Sequence, residues 1–374
     1  RLRPSSAQFP IVISQDGNYP GVTKVISAFV SEENNIKQIQ IPDDLDIGSK
    51  NYFRIAYHYK WAIDKIFLDM NYDTMIITED DLDLADDFFS YFMALKPILL
   101  TDKTLWCISA WNDNGGTNIT DRKHGEKLYR TDFFPGLGWM LTAELWKELS
   151  LNWPKMYWDD WMRRQDVRKE RACIRPEVSR TSHNNNLAGK GSSGGLYKKY
   201  LASIRLPEKA VDFTKLDLHH LIKSNYDRIL KEELSRAFAL QVNDFLNGPF
   251  IITYKTPREY RRLGKSIGLM LDIRSGMPRT AYYGIVTFIS NSHRFYVTPE
   301  KLNSSDFNFN LLPSSAYYDE KWDKMTRYLE FQETFCKPTK YVGKCDPKDP
   351  DLIAWFKKKN LSKRLKNWGE MIVN

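Results

Sequence analysis

The 374-residue sequence has no run of 18 apolar residues and no positively charged, apolar leader, so nothing in it spans a membrane as a helix. It starts at Arg1 rather than Met, which reads as a fragment and leaves room for a targeting segment upstream. Cysteine is scarce, at four residues, and none has the C-x-x-C spacing of a zinc or redox motif. No internal repeat occurs and no nucleic-acid-binding motif. The net charge of +8 includes six basic residues packed into KKKNLSKRLK (Lys357, Lys358, Lys359, Lys363, Arg364, Lys366), while the rest of the chain is nearly balanced. A basic tail of this kind reads as a solvated or interaction segment, and no nucleic-acid partner is expected.

What is present is enough to fold. With 42% hydrophobic residues the chain can bury a substantial core, and its 11 Trp, 20 Tyr and 20 Phe suit both a dense interior and the faces of sugars or bases. The even cysteine count permits disulfides, which belong to a secretory compartment. Sequons at Asn118-Ile-Thr, Asn303-Ser-Ser and Asn360-Leu-Ser agree with that setting, although a few sequons also arise by chance.

The first half alternates short apolar runs with helical patterns. Residues 9–17 and 36–42 read as strands, 51–70 as a helix with Ala56, Tyr59, Ile63, Ile66, Phe67 and Met70 on one stripe, and 73–78 as a strand. A helix starting at DDFFSYFMALKPILL should end or kink at Pro97, and 104–111 is another strand. This alternation predicts an α/β fold, a mostly parallel sheet with helices on both faces, whose ligands gather at the carboxyl ends of the strands. Residues 182–195, SHNNNLAGKGSSGG, form a loop of the length used for lids. A smaller α+β unit is expected at about 225–300, and 301–374 reads as a polar, irregular appendage.

Six carboxylates (Glu79, Asp80, Asp81, Asp83, Asp86, Asp87) lie within nine positions of TMIITEDDLDLADDFF. Asp86 and Asp87 stand where acids start a helix. Glu79, Asp80 and Asp81 instead fall at the end of a strand, where a metal or nucleotide site competes with a solvated turn. Hard oxygen ligands suit Mg²⁺ or Mn²⁺ shared with substrate phosphates, which makes a nucleoside diphosphate a natural ligand. His58 is a possible nitrogen ligand, but no second histidine lies at helical spacing from it.

In YWDDWMRR (157–164), Asp159 or Asp160 either caps a helix or is a carboxylate walled by indoles, partly desolvated and therefore more basic. One acid cluster for a metal and a separate acid as base is what an inverting sugar transfer needs. In FFPGLGWML, Gly136 and Gly138 permit close backbone approach to a ligand and Leu137 offers an apolar contact, although a turn before a strand explains the pattern equally well.

EDDLDLADDFF, LWCISAWNDNG, LYRTDFFPGLGWML, KMYWDDWMRR and RACIRPEVSRT resemble, in order and spacing, the Golgi β1,2-N-acetylglucosaminyltransferase I family, over about Arg3 to Pro299. The resemblance implies a GT-A-type domain at 1–205, a linker and smaller domain at 206–300, and an appended segment at 301–374. It implies a Mn²⁺-dependent, inverting transfer of GlcNAc from UDP-GlcNAc, in β1,2 linkage, to the α1,3-arm mannose of a five-mannose N-glycan on glycoprotein acceptors. Asp81 then resembles the Mn²⁺ ligand and Asp159 the catalytic base. Glu79 faces the donor sugar and Asp80 the ribose, Asp16 and His58 contact the nucleotide, Leu137 and Trp158 adjoin the GlcNAc, and Ser193 contacts the diphosphate. Cys107 and Cys173 match the family's disulfide pair. The implied location is the Golgi lumen, as a type II membrane protein held by an N-terminal anchor.

The resemblance also predicts departures. The family's first strand and helix, with the first nucleotide-binding turn, have no counterpart in this chain, and Gly17 stands where a second disulfide would have its cysteine. The lid is about three residues longer than the family's, and a Cys336–Cys345 pairing would lie outside the matched region. Two alternatives remain open from the sequence: β1,2-GlcNAc transfer to protein O-mannose, and an inactive sugar-binding or scaffold relative.

Overall fold

Runs rich in Val, Ile and Thr become strands because branched side chains pack well on a pleated surface. The computed structural model describes residues 2–33, 35–42, 51–184, 197–239, 249–300, 331–346 and 349–359. Strand β1 (Ile11–Gln15) pairs in parallel with β2 (Ile36–Gln40) across helix α1 (Pro20–Glu32). Helix α2 (Asn51–Asp64) runs into a π-helical turn, Lys65–Asp69, and its stripe of Ala56, Ile63, Ile66 and Phe67 is buried, with Tyr59 and Met70 packed at the margin.

The chain continues through β3 (Thr74–Ile77), β4 (Leu82–Leu84), α3 (Phe88–Thr101), β5 (Leu105–Ser109), β6 (Leu128–Thr131), β7 (Trp139–Thr142), α4 (Ala143–Leu149), α5 (Trp158–Met162), α6 (Gln165–Arg168), β8 (Ala172–Pro176) and β9 (Thr181–His183). The central sheet has the order β3-β7-β5-β8-β6. Successive β7 side chains serve opposite faces: Met140 joins the cluster under α3, while Trp139 and Leu141 join the cluster under α2, α4 and α5. Helices therefore cover both faces, as expected.

The expected mostly parallel pairing is corrected. Within this sheet only β5 and β8 run parallel, and the β3–β7, β5–β7 and β6–β8 pairs are antiparallel. Parallel neighbours need long crossovers, usually helical, whereas β5, β6 and β7 follow one another with no helix between them. Pro97 does not end α3, which continues past it to Thr101. The carbonyl left without a donor four residues earlier belongs to Met93, an exposed residue that water can reach.

Further on come α7 (Lys198–Leu201), α8 (Lys223–Arg236), β10 (Phe238–Ala239), β11 (Phe250–Tyr254), α9 (Pro257–Ile267), β12 (Ile273–Arg274), β13 (Met277–Pro278), β14 (Val286–Ser290) and β15 (His293–Pro299). A second sheet has the order β10-β11-β15-β14, and its β14–β15 hairpin turns at Asn291 and Ser292, both with positive φ. Helix α9 starts on Thr256, whose hydroxyl accepts from the Glu259 amide, and ends on Gly268 at φ 101°. One apolar cluster draws on Phe88, Tyr91 and Ile108 as well as Leu230, Ile251 and Tyr296.

Disulfides join Cys107 to Cys173, across β5 and β8, and Cys336 to Cys345. The irregular 301–374 segment expected from the sequence is corrected where it is described, since it carries the helix Pro350–Lys358 and a small core of Phe331, Cys336, Leu352 and Phe356. Among the described residues no helix is long and apolar enough to cross a membrane.

Candidate active site

The acid run begins where β3 ends at Ile77, so Glu79, Asp80 and Asp81 fall on the turn between β3 and β4. Strand β9 pairs antiparallel with β4, placing His183 opposite Leu82, and the Asn184 amide donates to the Asp81 carbonyl at 2.8 Å. The His183 ring is thereby held with Nδ1 3.5 Å from Asp81 Oδ2. Hydrogen bonding from His183 is the largest influence on the Asp81 carboxyl and holds it below the usual carboxylate range. Its other oxygen, Oδ1, is buried with no hydrogen-bond partner. A buried, unsatisfied carboxylate oxygen is costly unless something binds it, and a hard divalent cation is a group whose chemistry suits such an oxygen. Among the described residues no group of three His, Cys, Asp or Glu side chains could surround such an ion, so any metal here would draw further ligands from its substrate or water.

Glu79 is exposed to water yet closely surrounded by protein. The crowding raises its carboxyl above the ordinary value, while a 2.6 Å hydrogen bond from the Tyr59 hydroxyl offsets part of that rise. Tyr59 in turn stacks on Trp158, centroids 4.2 Å apart, and Trp158 stacks on Trp139 and Trp153. Burial, followed by the charge of Glu79, pushes the Tyr59 phenol well above its usual range and keeps it a donor. Trp158 is 7% exposed, inside this aromatic stack.

Tyr157, at φ 53°, turns the chain sharply into α5, whose first turn carries Asp159 and Asp160. Arg163, one helical turn on, donates from a single Nη1 to Asp159 at 2.8 Å and to Asp160 at 2.9 Å. Its Nε bonds the Phe134 carbonyl, and its guanidinium lies 4.7 Å from the Phe133 ring centre. The expectation of an indole-walled, desolvated Asp159 is therefore corrected: its side chain is 47% exposed and ion-paired. Asp159 lies 78 positions after Asp81 in sequence, yet it acts electrostatically on both Tyr59 and Glu79 alongside Asp81. The fold has brought the two acid clusters near enough to act on the same groups.

The PGLG turn is shaped by three consecutive positive φ angles, at Gly136, Leu137 and Gly138. A Cβ on Gly138 would meet Thr181 Cγ2 at 2.7 Å, and the Thr181 hydroxyl donates to the Leu137 carbonyl. Leu137 is thus fixed beside β9, the strand that carries His183. At the end of β1, Asp16 is gripped by Arg54 (Nη2 to Oδ1, 2.8 Å), and His58 Nε2 lies 2.6 Å from the Ser14 hydroxyl. Burial lowers the His58 ring below its ordinary value, Asp16 opposing the effect and Arg54 adding to it. Asp80 is exposed on the β3–β4 turn, and Ser193 lies outside the described residues.

Asp83 is exposed on β4, where its carboxylate accepts from the Asn184 side chain at 3.1 Å, and Asp86 is exposed on the turn before α3. Asp87 is structural, though not as the expected cap: its side chain makes no cap hydrogen bond and instead is buried against Arg180 and the Val211 amide. His183, Tyr59 and Arg163 were missed as site residues. His183 is recruited only by β4–β9 pairing, and Tyr59 reads as one more apolar position of α2. Arg163 alone left a local signal, at helical spacing from Asp159.

A two-faced α/β scaffold with one acid centre at a strand end and a second on a nearby helix is compatible with a glycosyltransferase of the GT-A type, the class to which the family match below assigns the chain. A sequence model of the GNT-I family matches residues 1–310. An alpha-1,3-mannosyl-glycoprotein 2-beta-N-acetylglucosaminyltransferase of Arabidopsis thaliana is 37% identical over 314 residues, spanning 80% of this chain and 69% of that protein. The chain belongs to the GNT-I family.

Proposed function

We propose that the protein transfers GlcNAc from UDP-GlcNAc, with inversion and in β1,2 linkage, to the α1,3-arm mannose of a five-mannose N-glycan. Support comes from the family and from one observation, that Asp81, His183 and the helix-borne Asp159 all lie near enough to Glu79 to act on its charge, with His183 3.5 Å from Asp81. Asp159, half-exposed, accepts the proton of the attacking mannose hydroxyl, and Arg163 fixes its carboxylate for that task. Asp81, with His183 beside it, is the residue that would hold Mn²⁺. The bound metal supplies charge stabilisation to the departing diphosphate.

Glu79, oriented by Tyr59, faces the donor sugar, and Asp80 faces the ribose. Asp16 and His58 contact the nucleotide, Leu137 walls the GlcNAc pocket, Trp158 backs it, and Ser193 contacts the diphosphate. Residues 1–205 make up the donor-binding unit and 206–300 the linker and smaller domain. The two disulfides suit the Golgi lumen, where an anchor preceding Arg1 would hold the enzyme as a type II membrane protein.

The test is to offer the oxidised protein UDP-GlcNAc and Mn²⁺ with two acceptors, a five-mannose N-glycan and an O-mannosyl peptide. New β1,2-GlcNAc on the α1,3-arm mannose is expected. Transfer to the O-mannosyl peptide alone would overturn the acceptor assignment, and absence of both transfer and metal-dependent UDP binding would favour a scaffold role.

A further inference from the structure

Asn118-Ile119-Thr120 is the one sequon of the chain among the described residues, and the turn that carries it is held firmly. Gly116 forms an antiparallel bridge with Ile204, and its carbonyl accepts from the Ile119 amide at 3.1 Å and from the Thr120 hydroxyl at 3.0 Å. Ile119 is buried among Phe133, Phe250 and Phe288, and its carbonyl accepts from the Ile289 amide. The Asp121 amide donates to Glu177. Both residues after Asn118 therefore face inward, whereas Asn118 itself is exposed and its carboxamide makes no hydrogen bond among the described residues. A branched oligosaccharide on this nitrogen would displace no contact.

The second observation is the redox setting. All four cysteines are disulfide-bonded, which places folding in an oxidising lumen, the compartment in which sequons are modified. We propose that Asn118 carries an N-linked oligosaccharide. The Asn118 nitrogen attacks the anomeric carbon of a lipid-diphosphate-linked oligosaccharide presented by the host's lumenal transferase. A C–N bond forms, the sugar–diphosphate C–O bond breaks, the amide gives up one proton and the lipid diphosphate leaves. Transfer precedes folding, so the later burial of Thr120 is no obstacle. The modification does not depend on the proposed transferase activity, and the turn shares no contact with Asp81, Asp159 or His183.

The test expresses the chain in a eukaryotic secretory host, releases glycans with a peptide amidase in ¹⁸O-water and maps the peptides by mass spectrometry. Residue 118 is expected as ¹⁸O-labelled Asp. Asn118→Gln should remove one glycan's worth of mass and leave turnover unchanged, and Thr120→Ser, which preserves the sequon, should keep residue 118 labelled. Site-specific mapping separates this residue from Asn303 and Asn360. Recovery of unmodified Asn118 from the secreted, disulfide-bonded protein would overturn the proposal.

Discussion

At the scale of single residues, the site divides its labour between two carboxylates whose partners differ in kind. Asp81 keeps one buried oxygen unpartnered beside a histidine, whereas Asp159 is half-exposed and clamped by a guanidinium. Asp81→Ala should therefore abolish most metal-dependent UDP binding, measured by calorimetric titration with and without Mn²⁺. Arg163 acts through Asp159 and is a positioning residue. Arg163→Met should lower kcat by about 100-fold, the scale of a misplaced reacting group, while UDP affinity stays near wild type, and Arg163→Lys should recover part of the loss. A merely structural role would instead lower the melting temperature without that split between kcat and binding. Local signals placed Glu79, Asp80 and Asp81 at a strand end and Asp159 or Asp160 at a helix start, while the choice of Asp81 and Asp159 among them came from the family resemblance. His183 was not, since only pairing between segments about a hundred residues apart puts it there.

Among the elements, the PGLG turn between β6 and β7 couples the central sheet to β9. Gly138→Ala would add a Cβ 2.7 Å from Thr181 Cγ2 at a φ of 89°. A loss of about 1–3 kcal/mol is expected from the chemical-denaturation midpoint, together with weaker donor binding because β9 also carries His183. The strands and helices themselves were readable from apolar periodicity, down to the buried stripe of α2. Strand direction was not. Alternating strands and helices imply crossovers, but β6 and β7 arrive without a helix, and nothing in their composition says which neighbours they will pair with. The helical, disulfide-closed part of the C-terminal segment was hidden for a related reason: its core is only a few residues and leaves no long periodic pattern.

Across the whole molecule, buried ion pairs tie the acid site to the second sheet's region. Asp272 is flanked by Arg279 (2.8 Å) and Arg274 (3.1 Å), Arg279 also pairs with Asp113, and Arg274 approaches Asp160 at 3.8 Å. Burial alone would raise the Asp272 carboxyl, but Arg279 and then Arg274 outweigh it and hold it far below its ordinary 3.8. A carboxyl depressed in the folded state adds stability that is full above the unfolded value and fades as pH falls below it. Asp272→Asn should accordingly be destabilised near neutral pH by on the order of 3 kcal/mol, the cost of breaking a buried pair. In chemical denaturation its gap from wild type should shrink progressively below pH 4. The measurement that bears most directly on the central claim compares donor binding with turnover in Asp159→Asn. With the proposed base removed and the proposed metal ligand untouched, UDP and Mn²⁺ should bind nearly as in wild type while kcat for GlcNAc transfer falls by about 100- to 10,000-fold. Near-normal kcat in this variant would contradict the account.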